Sequence, residues 1–171
     1  MNAESRRGRI LSILREESPV TGASLAARLG VTRQVIVQDI TILRARGERI
    51  IATPRGYAML DESGAPGVTK LVAVRHAPEE TAAELYAMVD AGAEVLDVIV
   101  DHPIYGQLTG QLSLTCRRDV DLFLKALTAT KAGLLSSLTG GIHLHTIRAR
   151  DTSVIEAVEK ALAAKGFLLP E

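Results

Sequence analysis

All four histidines of this 171-residue chain lie beyond residue 75, and two of them, His143 and His145, stand two positions apart in the run Gly140-Gly141-Ile142-His143-Leu144-His145-Thr146-Ile147. That run reads as a β-strand, on which residues two apart point to the same face, so the two imidazoles can hold one ion together. His76 follows a second strand-like stretch, Glu84 falls on the helix after it, and His102 ends another strand. If the strand before His76 and the helix carrying Glu84 lie over the histidine strand, both side chains approach the pair. Three neutral imidazoles and one carboxylate suit zinc, nickel or ferrous iron and leave a divalent site with a charge of about +1. The same residues have a plainer reading, with His143 and His145 on the solvent face of a sheet, His76 in a loop and Glu84 as a solvated helix residue. A hydrolytic centre would also need a general base, for which Asp101 beside His102 is the one candidate.

A second set of side chains suits base recognition. On a helix opened by Thr32, the residues Ile36, Ile40 and Leu43 share one side, so Gln34, Gln38 and Thr41 project from the other, with Arg33 at the exposed N-terminal end. Arginine can grip guanine, and glutamine adenine, through two hydrogen bonds each, for about 1 to 3 kcal/mol of discrimination. Exposed Gln and Arg are also ordinary helix formers. Their context favours recognition. Ile10, Leu11, Ile13 and Leu14 mark a first helix that stops at Ser18-Pro19, Thr21 caps a short second helix that ends at Gly30, and the Leu29-Gly30-Val31 turn leads into the third. That order is a helix-turn-helix, whose last helix enters the major groove of double-stranded DNA. Arg49 to Ala52 and Tyr57 to Leu60 then form a two-stranded wing around Thr53-Pro54-Arg55-Gly56, which puts Arg55 at the tip, within reach of a phosphate.

Charge divides the chain in the same place. The net charge is zero, yet residues 1–60 carry ten Arg, no Lys and five acids, while residues 61–171 carry the other ten basic residues and fifteen acids. A basic module is thus joined to an acidic one, with turn formers from Asp61 to Gly67 between them. We expect a DNA-binding domain over 1–60, a linker over 61–68 and a second domain over 69–171. The composition, 47% hydrophobic and 23% charged, is that of a globular protein. Cys116, the one cysteine, excludes an intrachain disulfide and reads as a small buried hydrophobe. No run approaches the roughly 18 apolar residues of a membrane span, and the first residues lack the apolar core of a signal peptide. A cytoplasmic protein with no membrane partner is expected.

In the second domain the pattern gives strand 69–75, helix 78–91, strand 95–101, strand 108–115, helix 120–130, strand 142–149 and helix 154–165. The expected fold class is α+β: a winged helix-turn-helix followed by an open-faced βαββαβα sandwich with a mostly antiparallel sheet and helices on one face. Tyr86 and Phe123 are expected in its core, and Ser136 and Ser137 in a loop.

Two resemblances sharpen these readings. The stretch from Val31-Thr32-Arg33-Gln34 to Thr53-Pro54-Arg55-Gly56-Tyr57 resembles the winged helix shared by biotin-repressor-type and niacin-responsive regulators. Arg75-His76 with Glu84, His102-Pro103-Ile104-Tyr105-Gly106, and Gly140 to Ile147 resemble the three-histidine (3H) domain, found behind a winged helix in the niacin-responsive repressors of NAD biosynthesis. The resemblance implies a homodimeric repressor with nicotinic acid as co-repressor and no catalytic residues. It implies His76, Glu84, His143 and His145 as ligands of a divalent metal (nickel, zinc or iron), with His102 and Tyr105 lining an effector pocket to which Arg75 adds charge. His102 has a structural reading as well. The alternatives to this function are a repressor that senses the metal itself and a metal-dependent hydrolase.

Overall fold

The computed structural model describes residues 2–60 and 66–170. Two compact units result, Met1–Gly64 and Ala65–Glu171. Most of the expected linker, residues 61–65, lies outside the described residues, and Val68, assigned to it, instead opens a strand.

The first unit holds helices α1 (Ala3–Glu17), α2 (Gly22–Leu29) and α3 (Arg33–Ala45) and a hairpin of β1 (Ile50–Thr53) and β2 (Gly56–Met59). Each helix starts where a short polar side chain meets an unpaired amide: Asn2 accepts from Ser5 N–H, Thr21 from Ser24 N–H and Thr32 from Val35 N–H. Gly30 ends α2 in the left-handed region. Ile10, Leu14, Leu25, Ile36, Ile40 and Leu43 form the core, joined by Val20 and Ile50. Gly56, at φ 127°, lets the wing approach Val20 closely, where a Cβ would collide with the Val20 carbonyl. Val20 and Tyr57 exchange two backbone hydrogen bonds there, so the chain between α1 and α2 braces the wing.

The second unit comprises β3 (Val68–Arg75), α4 (Thr81–Asp90), β4 (Glu94–His102), β5 (Gly106–Leu114), α5 (Arg117–Thr130), β6 (Ile142–Ala149) and α6 (Thr152–Ala164). The sheet order is β3-β6-β4-β5 and every pairing is antiparallel. One face of the sheet, with Val72, Val74, Val95, Leu112, Leu114, Ile147 and Ala149, packs against Leu85, Met88, Val120, Ile155, Val158 and Leu162 of the helices. This is the α+β sandwich expected. Tyr86 and Phe123 sit half-buried at the edge of that core. Two local features differ from the expectation. Residues 135–139 form a 3₁₀ helix rather than an open loop, and Ser136 within it is buried. Cys116 is exposed, because it occupies the N-cap position of α5, where the chain leaves the sheet.

Candidate functional site

β6 lies between β3 and β4, and its alternation puts His143, His145, Ile147 and Ala149 on the buried face. The period of two alone equates the four positions; packing against the helices decides that they face inward. β3 delivers His76 just past its end, opposite the start of β6, since Arg75 pairs with Ile142. Pro78 starts a 3₁₀ turn that leads into α4, whose buried side carries Glu84 and Leu85. His76, Glu84, His143 and His145 are all buried, Glu84 to 1% exposure.

Glu84 is the centre of the group. Its Oε2 lies 2.8 Å from His76 Nε2, and its Oε1 lies 3.2 Å from both His143 Nε2 and His145 Nε2. Ligand atoms of His76, Glu84 and His143 all fall within 4.8 Å of one another. The other ring nitrogens point outward to the main chain. His76 Nδ1–H donates to the Ala77 carbonyl at 2.7 Å, His143 Nδ1–H to Gly141 at 2.9 Å, and His145 Nδ1–H to Asp97 at 2.6 Å. A carbonyl can only accept, so each Nδ1 carries the proton, and each neutral ring then turns the Nε2 lone pair toward Glu84.

This arrangement sets an electrostatic problem. Lone pairs on three nitrogens facing a carboxylate repel one another. Protonating all three rings relieves that but leaves a buried excess of positive charge. The compromise appears in the direction in which each group is pushed. Burial opposes the charged imidazolium of His76 and of His145, yet Glu84 raises both above the ordinary value. Burial likewise opposes the Glu84 carboxylate, yet His145, His143 and His76 hold it well below the usual range. His145 Nε2 remains buried with no hydrogen-bond partner among the described residues. Ligand atoms of His76, Glu84 and His143 lie close enough together for one divalent cation, with His145 Nε2 beside the same carboxylate; such a cation would relieve the repulsion, and three imidazoles with a carboxylate are a donor set that fits zinc, nickel or ferrous iron.

Gly141 makes the cluster geometrically accessible. At φ 89° it passes so near the His76 backbone that any Cβ would collide with the His76 carbonyl, and its own carbonyl holds His143. Sequence reasoning quoted this glycine as part of a motif and missed its task.

A cavity of ≈ 160 Å³ opens on the four side chains. Its remaining wall is largely apolar, with Leu85, Val98, Phe123, Leu127, Leu134 and Leu135, alongside Gln111 and Ser136. A cavity of roughly 150 Å³ admits a benzene-sized molecule. His102 and Tyr105 do not line this cavity: they sit in the β4–β5 hairpin, where His102 Nδ1 accepts from Ile104 N–H and Tyr105 N–H, and Tyr105 is 76% exposed. His102 Nδ1 is thus the acceptor that closes the turn. Arg75 is exposed and borders a groove with Ala77, Pro78 and Gly140, to which His76 contributes as it does to the cavity. The cavity wall from α5 and residues 133–136 is not legible in the sequence, where Phe123 reads as core and Ser136 as loop.

In the first unit, Thr32, Arg33, Gln34, Gln38 and Thr41 are all exposed on α3. The Thr41 hydroxyl donates to the Val37 carbonyl at 2.8 Å. Arg55 is half-buried on the two-residue turn of the wing. An unexpected residue supports the helix: Asp39, 2% exposed, pairs with Arg6 at 2.5 Å and Arg7 at 3.2 Å and ties α3 to α1. An acid one turn from both Ile36 and Leu43, on the apolar side of α3 in a module with ten arginines, was the available signal.

Comparison with known proteins bears on both units. Residues 69–171 match the 3H domain, and residues 6–58 match an HTH domain. Over 170 residues the chain is 45% identical to the probable transcription repressor NiaR of Thermotoga maritima, covering 97% of this chain and 96% of that protein. It is 41% identical over 170 residues to the transcription repressor NadR of Bacillus subtilis, with 98% and 94% covered. No helix among the described residues is long and apolar enough to cross a membrane.

Proposed function

Because the chain belongs to the family of NiaR- and NadR-type transcription repressors, a DNA-binding helix-turn-helix followed by a 3H domain, we propose that it represses genes of niacin uptake and NAD biosynthesis, with nicotinic acid as co-repressor beside a divalent metal. The relatives are repressors rather than enzymes, and the hydrolase alternative is set aside with them. One observation carries the metal reading: three buried imidazoles commit Nδ1–H to backbone carbonyls and present Nε2 to one buried carboxylate. His76, Glu84, His143 and His145 would hold the ion, which when bound supplies a positive Lewis-acidic centre for the carboxylate or ring nitrogen of a small aromatic acid.

The chain's own residues then provide the rest of the recognition. Phe123, Leu127, Leu134 and Leu135 exclude water and offer an apolar surface to a single aromatic ring, with Gln111 and Ser136 as polar wall residues. We place the effector in this cavity rather than at His102 and Tyr105. A ligand there would bridge α5 and residues 133–136, which line the cavity from one side, and the metal cluster on the other, favouring one arrangement of these elements. In a homodimer that arrangement favours one spacing of the two α3 helices, and operator half-sites read on one face of DNA lie about 34 to 36 Å apart, or a multiple. Nicotinic acid strengthens repression only by its preference for the competent state. Arg33, Gln34 and Gln38 would read base edges, Thr41 would contact a thymine methyl, and Thr32 and Arg55 would meet phosphates.

The test is calorimetry of nicotinic acid and of nicotinamide on zinc-loaded protein, with a chelator-stripped sample as control, followed by binding to a duplex selected from a random pool. Binding of nicotinic acid alone, lost on stripping and coupled to tighter DNA binding, is the expected result. Tighter DNA binding on adding zinc without any organic ligand would instead establish the metal-sensing reading.

A further inference from the structure

We infer that Asp97 is the positioning residue of His145, acting through a bulge in β4 that releases a backbone carbonyl from the sheet. The inference rests on the metal reading above. Along the β4–β6 ladder Val95 pairs with Ile147 and Ile99 with Leu144, so three residues of β4 face two of β6. The extra residue is the bulge. At this point the ladder is replaced by two hydrogen bonds from one residue. The Asp97 carboxylate, through Oδ1, accepts from Thr146 N–H at 2.9 Å, and the Asp97 carbonyl accepts from His145 Nδ1–H at 2.6 Å.

The exchange has a clear logic. In a regular antiparallel strand the Thr146 amide would take a main-chain carbonyl of β4 as its partner. A buried amide cannot be left unpaired without cost, so a β4 carbonyl becomes free to hold the ring only if another acceptor reaches that amide. Aspartate and asparagine carry an oxygen short enough to imitate a backbone carbonyl. β5 bears the complementary irregularity: Val95 pairs with Leu114 and Asp97 with Gln111, which leaves an extra residue in β5, and Ser113 takes φ 54°, a conformation non-glycine residues adopt at a cost. The sheet is therefore distorted on both sides of Asp97, and the histidine it orients is the one whose Nε2 is buried without a hydrogen-bond partner among the described residues. Asp97 does not touch the cavity; it acts through His145.

The experiment compares wild type, Asp97→Ala and Asp97→Asn by zinc affinity in a chelator competition and by the ring-nitrogen shifts of His145 in metal-free protein. Asp97→Ala keeps the carbonyl but removes the acceptor of the Thr146 amide, so that amide should draw the carbonyl back into the ladder and away from His145; zinc binding is then expected to weaken by about 10- to 100-fold, the usual consequence of losing an outer hydrogen bond to a ligating histidine. The substitution should also convert the His145 ring from the single Nδ1–H tautomer to a mixture. Asp97→Asn keeps Oδ1 and should match wild type in both readouts, which a role for the carboxylate charge would not allow. Wild-type affinity and an unchanged tautomer in Asp97→Ala, or an Asn variant as weak as Ala, would overturn the inference. If Asp97→Ala does not fold, the wild-type protein decides: a scalar coupling across the hydrogen bond from Thr146 N to Asp97 Cγ supports the inference and its absence refutes it. Should wild type show that coupling and the single tautomer yet bind no zinc, the metal reading fails while the orientation of His145 by Asp97 stands.

Discussion

Replacing Glu84 by Gln isolates the centre of the proposed metal site. The substitution keeps the shape of a side chain that is 1% exposed and removes the charge that faces three Nε2 atoms at 2.8, 3.2 and 3.2 Å. Structural zinc sites with four protein ligands have apparent binding free energies of about 10 to 16 kcal/mol at neutral pH, so an equal share for one ligand is about 3 to 4 kcal/mol. At about 1.4 kcal/mol per decade this predicts a loss of roughly two to three powers of ten in zinc affinity. A chelator competition at pH 7.5 measures it directly. Thermal unfolding gives an independent reading, because zinc at 1,000 times its Kd stabilises the folded state by about 4 kcal/mol. In a unit of about 100 residues each kcal/mol moves Tm by about 4 °C or more. Wild type should therefore gain well over 10 °C with zinc, and Glu84→Gln at the same zinc concentration, then at only about 1 to 10 times its own Kd, should gain about 2 to 6 °C. The metal-free variant should be no less stable than wild type at high pH, where neutral imidazoles confront a carboxylate. Undiminished zinc affinity in Glu84→Gln would refute the assignment of Glu84 as a ligand and the charge argument built on it.

Three further outcomes follow from the same geometry. Metal stabilisation should depend on pH, because zinc needs neutral imidazoles: His76 and His145 of the metal-free protein titrate above the ordinary 6.5, so their contribution to metal-free stability is complete below that value and is lost as pH rises through the raised pKa. The zinc-induced rise in Tm should accordingly shrink toward pH 6 and grow toward pH 8, and a flat profile would contradict it. Gly110→Ala places a methyl 3.0 Å from Leu135 Cδ1 and 3.3 Å from Val98 Cγ1 on the cavity wall; calorimetry should show weaker nicotinic acid binding with unchanged zinc affinity. Gln38→Ala, on the exposed side of α3, should cost about 1 to 3 kcal/mol against the selected duplex and relax specificity at one base pair, with little change against random DNA.

Much of this molecule is legible in one dimension. Helical and strand periods, caps at Asn2, Thr21 and Thr32, and the proline and glycine stops are local, so the order of elements and the exposed face of α3 follow from neighbours within a few residues. The equivalence of His143 and His145 follows from the period of two in the same way. Their burial does not, since either face of a strand satisfies that period, and only packing of α4, α5 and α6 on one side of the sheet selects it. The meeting of His76 with the pair depends on β6 lying beside β3, a pairing between segments some seventy residues apart. The cavity wall at residues 133–136 was silent for a related reason: a leucine carries no sign of what a distant segment will bring against it. The most hidden part is the outer support of the histidines. Ala77, Gly141 and Asp97 hold the three rings through main-chain carbonyls. Every residue has a carbonyl, so the sequence alone determined which side chains could bind a metal. Sheet register, bulge and turn decided which carbonyls were left free to aim them.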